Sequence, residues 1–578
     1  MFFNSIKKKC ANKTYILVDF FDTVMFREIH SYQLMEQWEN AIKVKFPELN
    51  NLNLSSIRKH VIKAIGKEEC AIPYKVLLKN VFDQIRTFTS FSFDEFYDIS
   101  LQIDKYIDMA TQYPNKEIVN LLRKLRKDGK SLILVTDYYL PAEVYYDYLS
   151  FFDLTSLFDE IVCSSDVQLT KSSGELYEYI IALLDAPKNM IMIGDSKESD
   201  YENALKHGID AIRYFPLFHK VKTNIRLRGG YRFAKHAAKR IYKKCYSDTL
   251  FAEYGINLSF FSNNLHKEAK LDNAKSLAFL SRGGYLLKNC FEQYQNLSVP
   301  ENRKINAIYI KNSRRVNRDA EKNLENADLL RRYLEENGVS NPAYVVDEGW
   351  YCTSQIAFHK LFEWDVYGYY IGVMENKPIG GVCKRKGILF EMNENGEPSS
   401  LYGVFRTNCT FYEELLGAPH GSAKKYFNQD GHIEVEEKWE DIERNFYYKR
   451  VKELQKKVMD VNGSLTCWNI NMSKYELSKY VIHTLLFGSQ ERIAILKEFN
   501  DSWFDNVNDT QEKSFGDVYK LKINVLDLIV HPENYLRYFC KVKELQLNHK
   551  SFRVFYPIVG RLIDWYCGLF IMIRYRHD

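Results

Sequence analysis

Four polar residues fall, one after another, where short apolar runs end. The stretch YILVDFFDTV, residues 15–24, carries an aliphatic run that stops at Asp19 and turns at once through Phe20, Phe21, Asp22 and Thr23. SLILV at 131–135 stops at Thr136-Asp137, the run at 160–163 leads into SSDVQLTK with Lys171, and NMIMI at 189–193 stops at Gly194-Asp195. Runs of this kind read as buried strands of a parallel sheet. Ligands of open α/β sheets sit beyond the carboxyl ends of the strands. An acid there is badly placed for a core and well placed for a site that handles charge. Any one of these residues could equally cap a turn; four in succession weigh against caps.

The elements that must position them follow. A fifth strand is expected at 208–214, and helical patterns at 117–127, 176–184 and 202–207 separate the strands. Strands alternating with helices predict an α/β fold with a Rossmann-like, doubly wound parallel sheet. Residues 28–113 read instead as amphipathic helices, with a Ser92–Glu95 capping box before the last of them.

Over residues 14–216 the chain resembles the haloacid dehalogenase-like superfamily. DFFDT, LVTD, Lys171 in LTKSSGELY and GDSKESD match its four motifs in order. The resemblance implies that Asp19 is a nucleophile taking a phosphoryl group and that Thr136 bonds the phosphoryl oxygens. Lys171 would neutralise charge. Asp195 and Asp200 would hold Mg2+ together with Asp19 and the backbone carbonyl of Phe21. A carboxylate does not approach a phosphate dianion unless cations cancel the repulsion. One departure stands out: the family's phosphatases carry an acid two residues after the nucleophile, and here that position is Phe21. Asp22, one residue on, either takes over the acid role or stabilises the turn. The helices at 28–113 resemble the family's cap, which closes over small substrates.

A chain of 578 residues is too long for one core. Its 46% hydrophobic and 27% charged residues are those of a globular protein, and a net charge of +5 points to no nucleic-acid partner. The 11 Cys include no CxxC, which speaks against structural zinc and for reduced thiols. MFFNSIKKKCANK has no apolar run of the secretory kind, so a cytoplasmic location is expected. Residues 219–244 hold ten Lys or Arg and no acid, which suits a linker helix or contact with an anionic membrane surface.

A second α/β pattern starts near residue 253. A strand at 275–280 runs into Ser281-Arg282-Gly283-Gly284, one at 305–310 delivers Lys311, Arg314 and Arg315, and one at 343–346 delivers Asp347-Glu348 before GWYCTSQ. A glycine pair before a helix lets backbone N–H groups approach an anion, and a basic strand end offers charge to phosphate. SRGGYLL and VVDEGWYCTSQ resemble the pyrophosphate loop and the donor motif of type I phosphoribosyltransferases. More broadly, FLSRGGYLL, AIYIKNSRR, VDEGWYCTSQ, GYYIGV and EELLGAPHGS resemble the C-terminal half of bacterial two-domain proteins of polysaccharide synthesis.

These resemblances imply one pathway. The second half would move a phosphoribosyl group from phosphoribosyl pyrophosphate (PRPP) to a glycan hydroxyl, and the first half would strip the 5-phosphate. Arg282, Gly283 and Gly284 would hold pyrophosphate, with Lys311 and Arg314 neutralising it. Asp347 and Glu348 would bind ribose hydroxyls or Mg2+, and Thr353 and Ser354 the 5-phosphate. Glu413, Glu414 and His420 are candidates for the acceptor site. The alternatives are a phosphatase fused to a binding module, or to a glycosyltransferase using another donor. The expected division is a phosphatase domain at 1–218, a basic linker at 219–252, the second α/β domain at 253–425 and a helical region at 426–578. The aromatic, apolar stretch at 555–578 reads as a core helix or as an interfacial helix that would suit a lipid-linked glycan.

Overall fold

The central strands of the first sheet are runs of aliphatic or β-branched residues, and the computed structural model buries nearly all of them. The structure describes residues 2–27, 31–65, 71–184, 187–216, 250–374, 384–391 and 409–467, with scattered positions between 474 and 566. The chain divides into two units, the first within Met1–Phe233 and the second built on Ala234–Cys467.

In the first unit the strands are β1 (Tyr15–Val18), β2 (Met25–Arg27), β3 (Gln112–Pro114), β4 (Ser131–Thr136), β5 (Glu160–Cys163), β6 (Met190–Gly194) and β7 (Asp210–Arg213). Five form one parallel sheet in the order β5-β4-β1-β6-β7. The winding direction reverses between β1 and β6, which opens a crevice at their carboxyl ends. Val18 lies in register between Leu134 and Ile193, so Asp19 emerges in the middle of that crevice. Strands β2 and β3 pair antiparallel as a short stem. From it rise helices Ser31–Lys45, Leu54–Ile65, Tyr74–Ile85 and Phe93–Thr111. Ser92 caps the last, its hydroxyl accepting from the Glu95 N–H at 3.2 Å. Inside these helices Arg58 is buried and bonds Asp104 through two nitrogens at 3.2 and 2.7 Å. The Tyr74 phenol donates to the same carboxylate at 2.6 Å. A buried ion pair needs such additional bonds to offset its desolvation. Arg58 also reaches Tyr139, in the loop after β4, at 3.2 Å, tying the helices to the sheet.

The second unit holds β8 (Ser276–Leu280), β9 (Asn306–Ile310), β10 (Ala343–Trp350), β11 (Val366–Val373) and β12 (Arg385–Phe390). They form a parallel sheet in the order β12-β11-β10-β8-β9, whose reversal falls between β8 and β10. The expected strand at 343–346 is too short. Strand β10 continues to Trp350, with Asp347 opposite Tyr370 and Gly349 opposite Gly372. Ladder bonds join backbone groups, so polar side chains do not end the strand where the apolar pattern does. Gly349 has φ 113, and a Cβ there would fall 2.1 Å from the Gly372 carbonyl.

Strands β13 (Ser422–Gln429) and β14 (His432–Lys438) form an antiparallel hairpin across the expected boundary at 425/426. This corrects the start of the helical region expected at 426–578; the first helix there begins at Asp441. The first strand is bulged between Ala423 and Lys425, so Ala423, Tyr426 and Ile433 join the core while the adjacent Lys424 and Lys425 both pair with Glu436 outside. Asp430 and Gly431 both take positive φ, a hairpin-turn signal legible in the sequence. The basic stretch at 219–244 and most of 555–578 lie outside the described residues. Among the described residues no helix is long and apolar enough to cross a membrane.

Candidate active site

Lys171 is the hub of the first site. Its ammonium lies 2.6 Å from Asp19 Oδ1 and 2.6 Å from Asp200 Oδ1, and all three residues are buried. Two neighbours hold its loop. Both Asp137 oxygens accept from the Lys171 N–H at 3.0 Å, and Asn203 Nδ2 donates to the carbonyls of Lys171 and Ser172 at 3.0 and 2.8 Å. Neither Asp137 nor Asn203 was among the expected site residues. Asp137 could have been: it is the second polar residue at the end of β4.

Asp200 sits on the turn Lys197–Glu202, capped by Ser196. Its Oδ2 accepts from the Ser196 N–H at 2.9 Å. A Cβ at Gly194 would lie 2.4 Å from that carboxylate, so the glycine ending β6 is what lets Asp200 reach back to Lys171. One oxygen from each of Asp19, Asp195 and Asp200 lies within 4.8 Å of the others.

Three carboxylates thus face one ammonium. Burial pushes the Asp19 carboxyl well above the usual range; Lys171 opposes this, while Asp200 and Asp195 push it further up. Burial also works against the Lys171 charge, but Asp19, Asp200 and Asp137 outweigh it and hold the ammonium protonated. A set of hard oxygen donors with excess negative charge fits a divalent cation such as Mg2+.

The leaving-group side looks different. Phe21 meets the edge of Phe20 at 4.9 Å and Tyr138 at 4.8 Å, and the Arg27 guanidinium lies 3.9 Å over its ring. Asp22 stands at φ 57 with its N–H bonded to the Met25 carbonyl at 2.8 Å. Thr136 is fully buried, its hydroxyl donating to the Tyr145 phenol at 3.4 Å.

Residues 51–214 match the family model of haloacid dehalogenase-like hydrolases. The first unit therefore contains a haloacid dehalogenase-like hydrolase domain. The match begins downstream of β1 and covers less than half of the chain. Among solved structures, a 2-haloacid dehalogenase from Pseudomonas syringae pv. Tomato is 16% identical with TM-score 0.28, covering 35% of this chain and 86% of its own. An enzyme of the same family from Bacteroides thetaiotaomicron, solved with magnesium and inorganic phosphate, is 12% identical with TM-score 0.25, covering 35% and 93%. A predicted phosphoglycolate phosphatase from Haemophilus somnus is 17% identical with TM-score 0.25, covering 35% and 85%. Among curated proteins there is no match.

In the second unit the sheet reversal draws Arg282 and Gly283 together with Asp347 and Glu348. A Cβ at Gly283 would lie 2.3 Å from Glu348 Oε2, and Arg282 Nη2 lies 2.9 Å from Glu443 Oε1. Gly284 serves packing instead: a Cβ there would meet the Phe279 backbone at 2.7 Å. Lys311 pairs with Glu437 of the hairpin at 2.7 Å, and Glu413 accepts from the Trp350 indole at 2.6 Å. Ser354 accepts from Asn317 Nδ2 at 3.2 Å, while Thr353 and Arg314 are exposed. Two of the cations expected to meet pyrophosphate, Arg282 and Lys311, thus already face carboxylates. Sequence reasoning missed Glu437, Glu443 and Asn317, because nothing in their local patterns points at partners that lie 37 to 161 residues away.

Burial raises Asp347 to about 7 and Glu414 to about 8. For Glu414, Arg282 pulls down, and Glu443 and Glu413 push up. A carboxyl raised in the fold costs stability as pH climbs from its unfolded value near 4.5 toward its folded one. Glu414→Gln is therefore expected to stabilise the protein above pH 8, by at most about 5 kcal/mol, raising its melting midpoint there and leaving it unchanged at pH 4. An equal shift at both pH values would refute the electrostatic account.

Proposed function

We propose that the N-terminal half is a Mg2+-dependent phosphatase working through a phosphorylated Asp19. The observation that carries this reading is the buried Lys171 ammonium bridging Asp19 and Asp200 beside Asp195. An Asp19 oxygen attacks phosphorus, and the bond to the leaving oxygen breaks with its electron pair on that oxygen. Water then cleaves the acyl phosphate, freeing inorganic phosphate and restoring Asp19. Lys171 works toward the ionised form of Asp19 against burial and meets the charge of the transferring group, and Thr136 turns its hydroxyl from Tyr145 to a phosphoryl oxygen. Asp19, Asp195, Asp200 and the Phe21 carbonyl would hold Mg2+, which when bound neutralises phosphate charge. Phe21 has no proton to give. Either Asp22 protonates the leaving group, or substrates with good leaving groups turn over fastest. Dialysis against EDTA is expected to abolish p-nitrophenyl phosphate turnover, and MgCl2 to restore it. Full activity in EDTA would overturn the reading.

A second reading concerns the C-terminal half: transfer of phosphoribosyl from PRPP to a glycan hydroxyl, giving the phosphatase its monoester. It is favoured by the placing of the glycine loop and the Asp347-Glu348 pair on either side of the sheet reversal, where such folds take ligands. PRPP incubated with candidate glycans, free or lipid-linked, is expected to release pyrophosphate, and Asp347→Ala to stop it. No pyrophosphate with any acceptor would leave a phosphatase joined to a binding module. On this reading the enzyme acts in the cytoplasm, at the inner face of the membrane if its glycan is lipid-linked. Cosedimentation with anionic vesicles tests that.

A further inference from the structure

The second unit holds a polar chain that ties His420, expected at the acceptor site, to Tyr309 and Glu437, to which no role was given. The Tyr309 phenol, on β9, lies 2.8 Å from His420 Nε2. His420 Nδ1 lies 2.8 Å from the Gly421 carbonyl and 3.5 Å from Glu437 Oε1. A carbonyl only accepts, so Nδ1 carries the proton and Nε2 presents a lone pair to the phenol. Burial, the largest influence, holds the imidazole below its ordinary range. The Gly421 carbonyl and Glu437 work the other way, and Lys311 and Arg282 reinforce burial. The phenol is kept protonated by burial, with Arg282 opposing and Glu437, Tyr285 and Tyr333 reinforcing. Both rings are only partly covered. Tyr309 stands one residue before the end of β9, beside β8 in the sheet, and Arg282, just past the end of β8, acts on both rings and on Glu348. A phenol backed by a neutral imidazole, itself backed by a carboxylate, has the arrangement of a hydroxyl-activating relay.

We propose that Tyr309, backed by His420 and Glu437, removes the proton from the acceptor hydroxyl in the second unit. This rests on the reading of that unit as a transferase. As the acceptor oxygen bonds to the anomeric carbon, its proton passes to the Tyr309 oxygen, and the Tyr309 proton passes to His420 Nε2. The carbon–oxygen bond to pyrophosphate breaks, and pyrophosphate leaves with the electron pair. Glu437 then faces an imidazolium rather than an imidazole. Tyr309 is the catalytic residue, and His420 a positioning residue that stores the proton.

The test uses the full chain with PRPP and a panel of glycan acceptors, following pyrophosphate release against pH in wild type, Tyr309→Phe and His420→Gln. Glutamine can accept the phenol hydrogen bond but cannot store the proton. Both variants are expected to lose about 100-fold or more in kcat with KM for PRPP held. Both should also lose the wild-type fall in kcat toward acid pH, and keep the wild-type melting midpoint. Wild-type release with unchanged kcat and pH profile in the variants would overturn the relay while leaving the transferase reading standing. A matching loss of kcat with the acid limb intact would reduce the pair to a structural contact and overturn it as well. No release by wild type with any acceptor would remove the transferase reading and the relay with it.

Discussion

Asp19→Asn is expected to abolish p-nitrophenyl phosphate turnover, lowering kcat by roughly 10^4-fold or more. Asparagine nearly matches aspartate in shape, so the crevice between β1 and β6 should keep its form. What disappears is the anionic oxygen that would bond to phosphorus, and one of three carboxylates able to hold a cation. Stability should move the other way. In the fold, burial raises the Asp19 carboxyl well above its unfolded value of 3.8, and Asp200 and Asp195 reinforce the rise against Lys171. A carboxyl raised in this way destabilises the metal-free protein progressively as pH rises past 3.8. In EDTA at neutral pH the asparagine variant should therefore melt above wild type. Retained turnover would remove Asp19 as nucleophile, and a lower melting midpoint in EDTA would contradict the charge accounting.

Lys171→Met should also be inactive, with the opposite effect on stability. Lys171 is the partner of both Asp19 and Asp200 at 2.6 Å, and its removal leaves buried carboxylates facing one another. Breaking a buried pair from one side costs about 3–5 kcal/mol. Activity should fall by roughly 10^3-fold or more, because the charge that lets a carboxylate approach a phosphate is gone. The deficit is electrostatic, so a divalent cation should repair part of it. The melting midpoint of Lys171→Met is expected to rise with added MgCl2 far more than that of wild type. Equal responses would mean that Mg2+ and Lys171 do not share one negative cluster.

The two variants test a set that was readable in the chain, because each member stands within a residue or two of a strand end or in a short loop. Asp19, Thr136, Lys171 and Asp195 could be placed from the alternation of apolar runs and helices alone. Asp137 and Asn203 could not be assigned their part, since holding the Lys171 loop depends on the packing of β4, its loop and the turn after β6. The second unit was harder for the same reason. Arg282, Asp347 and Glu348 were visible at strand ends, but Glu443, the partner of Arg282, lies 161 residues away from it along the chain. The hairpin at β13 and β14 was misjudged because VEEKWEDIER satisfies a helical pattern locally. Only the second core, met by Ala423, Tyr426 and Ile433 across a bulged strand pair, selects the hairpin.

Local order thus determined that there would be a doubly wound sheet followed by a second α/β unit, where the strands of the first sheet begin, and which residues stand at its mouth. Periodicity and strand ends are properties of a few neighbouring residues, and a chain carries them openly. Which charges meet was decided by the folded chain: Lys171 with Asp200, Arg282 with Glu443, His420 with Tyr309. Such meetings follow from sheet order and crossover packing, which bring together side chains far apart in sequence and set their desolvation at the same time. The charge balance of both crevices, and with it the chemistry each can perform, exists only once those segments are in place.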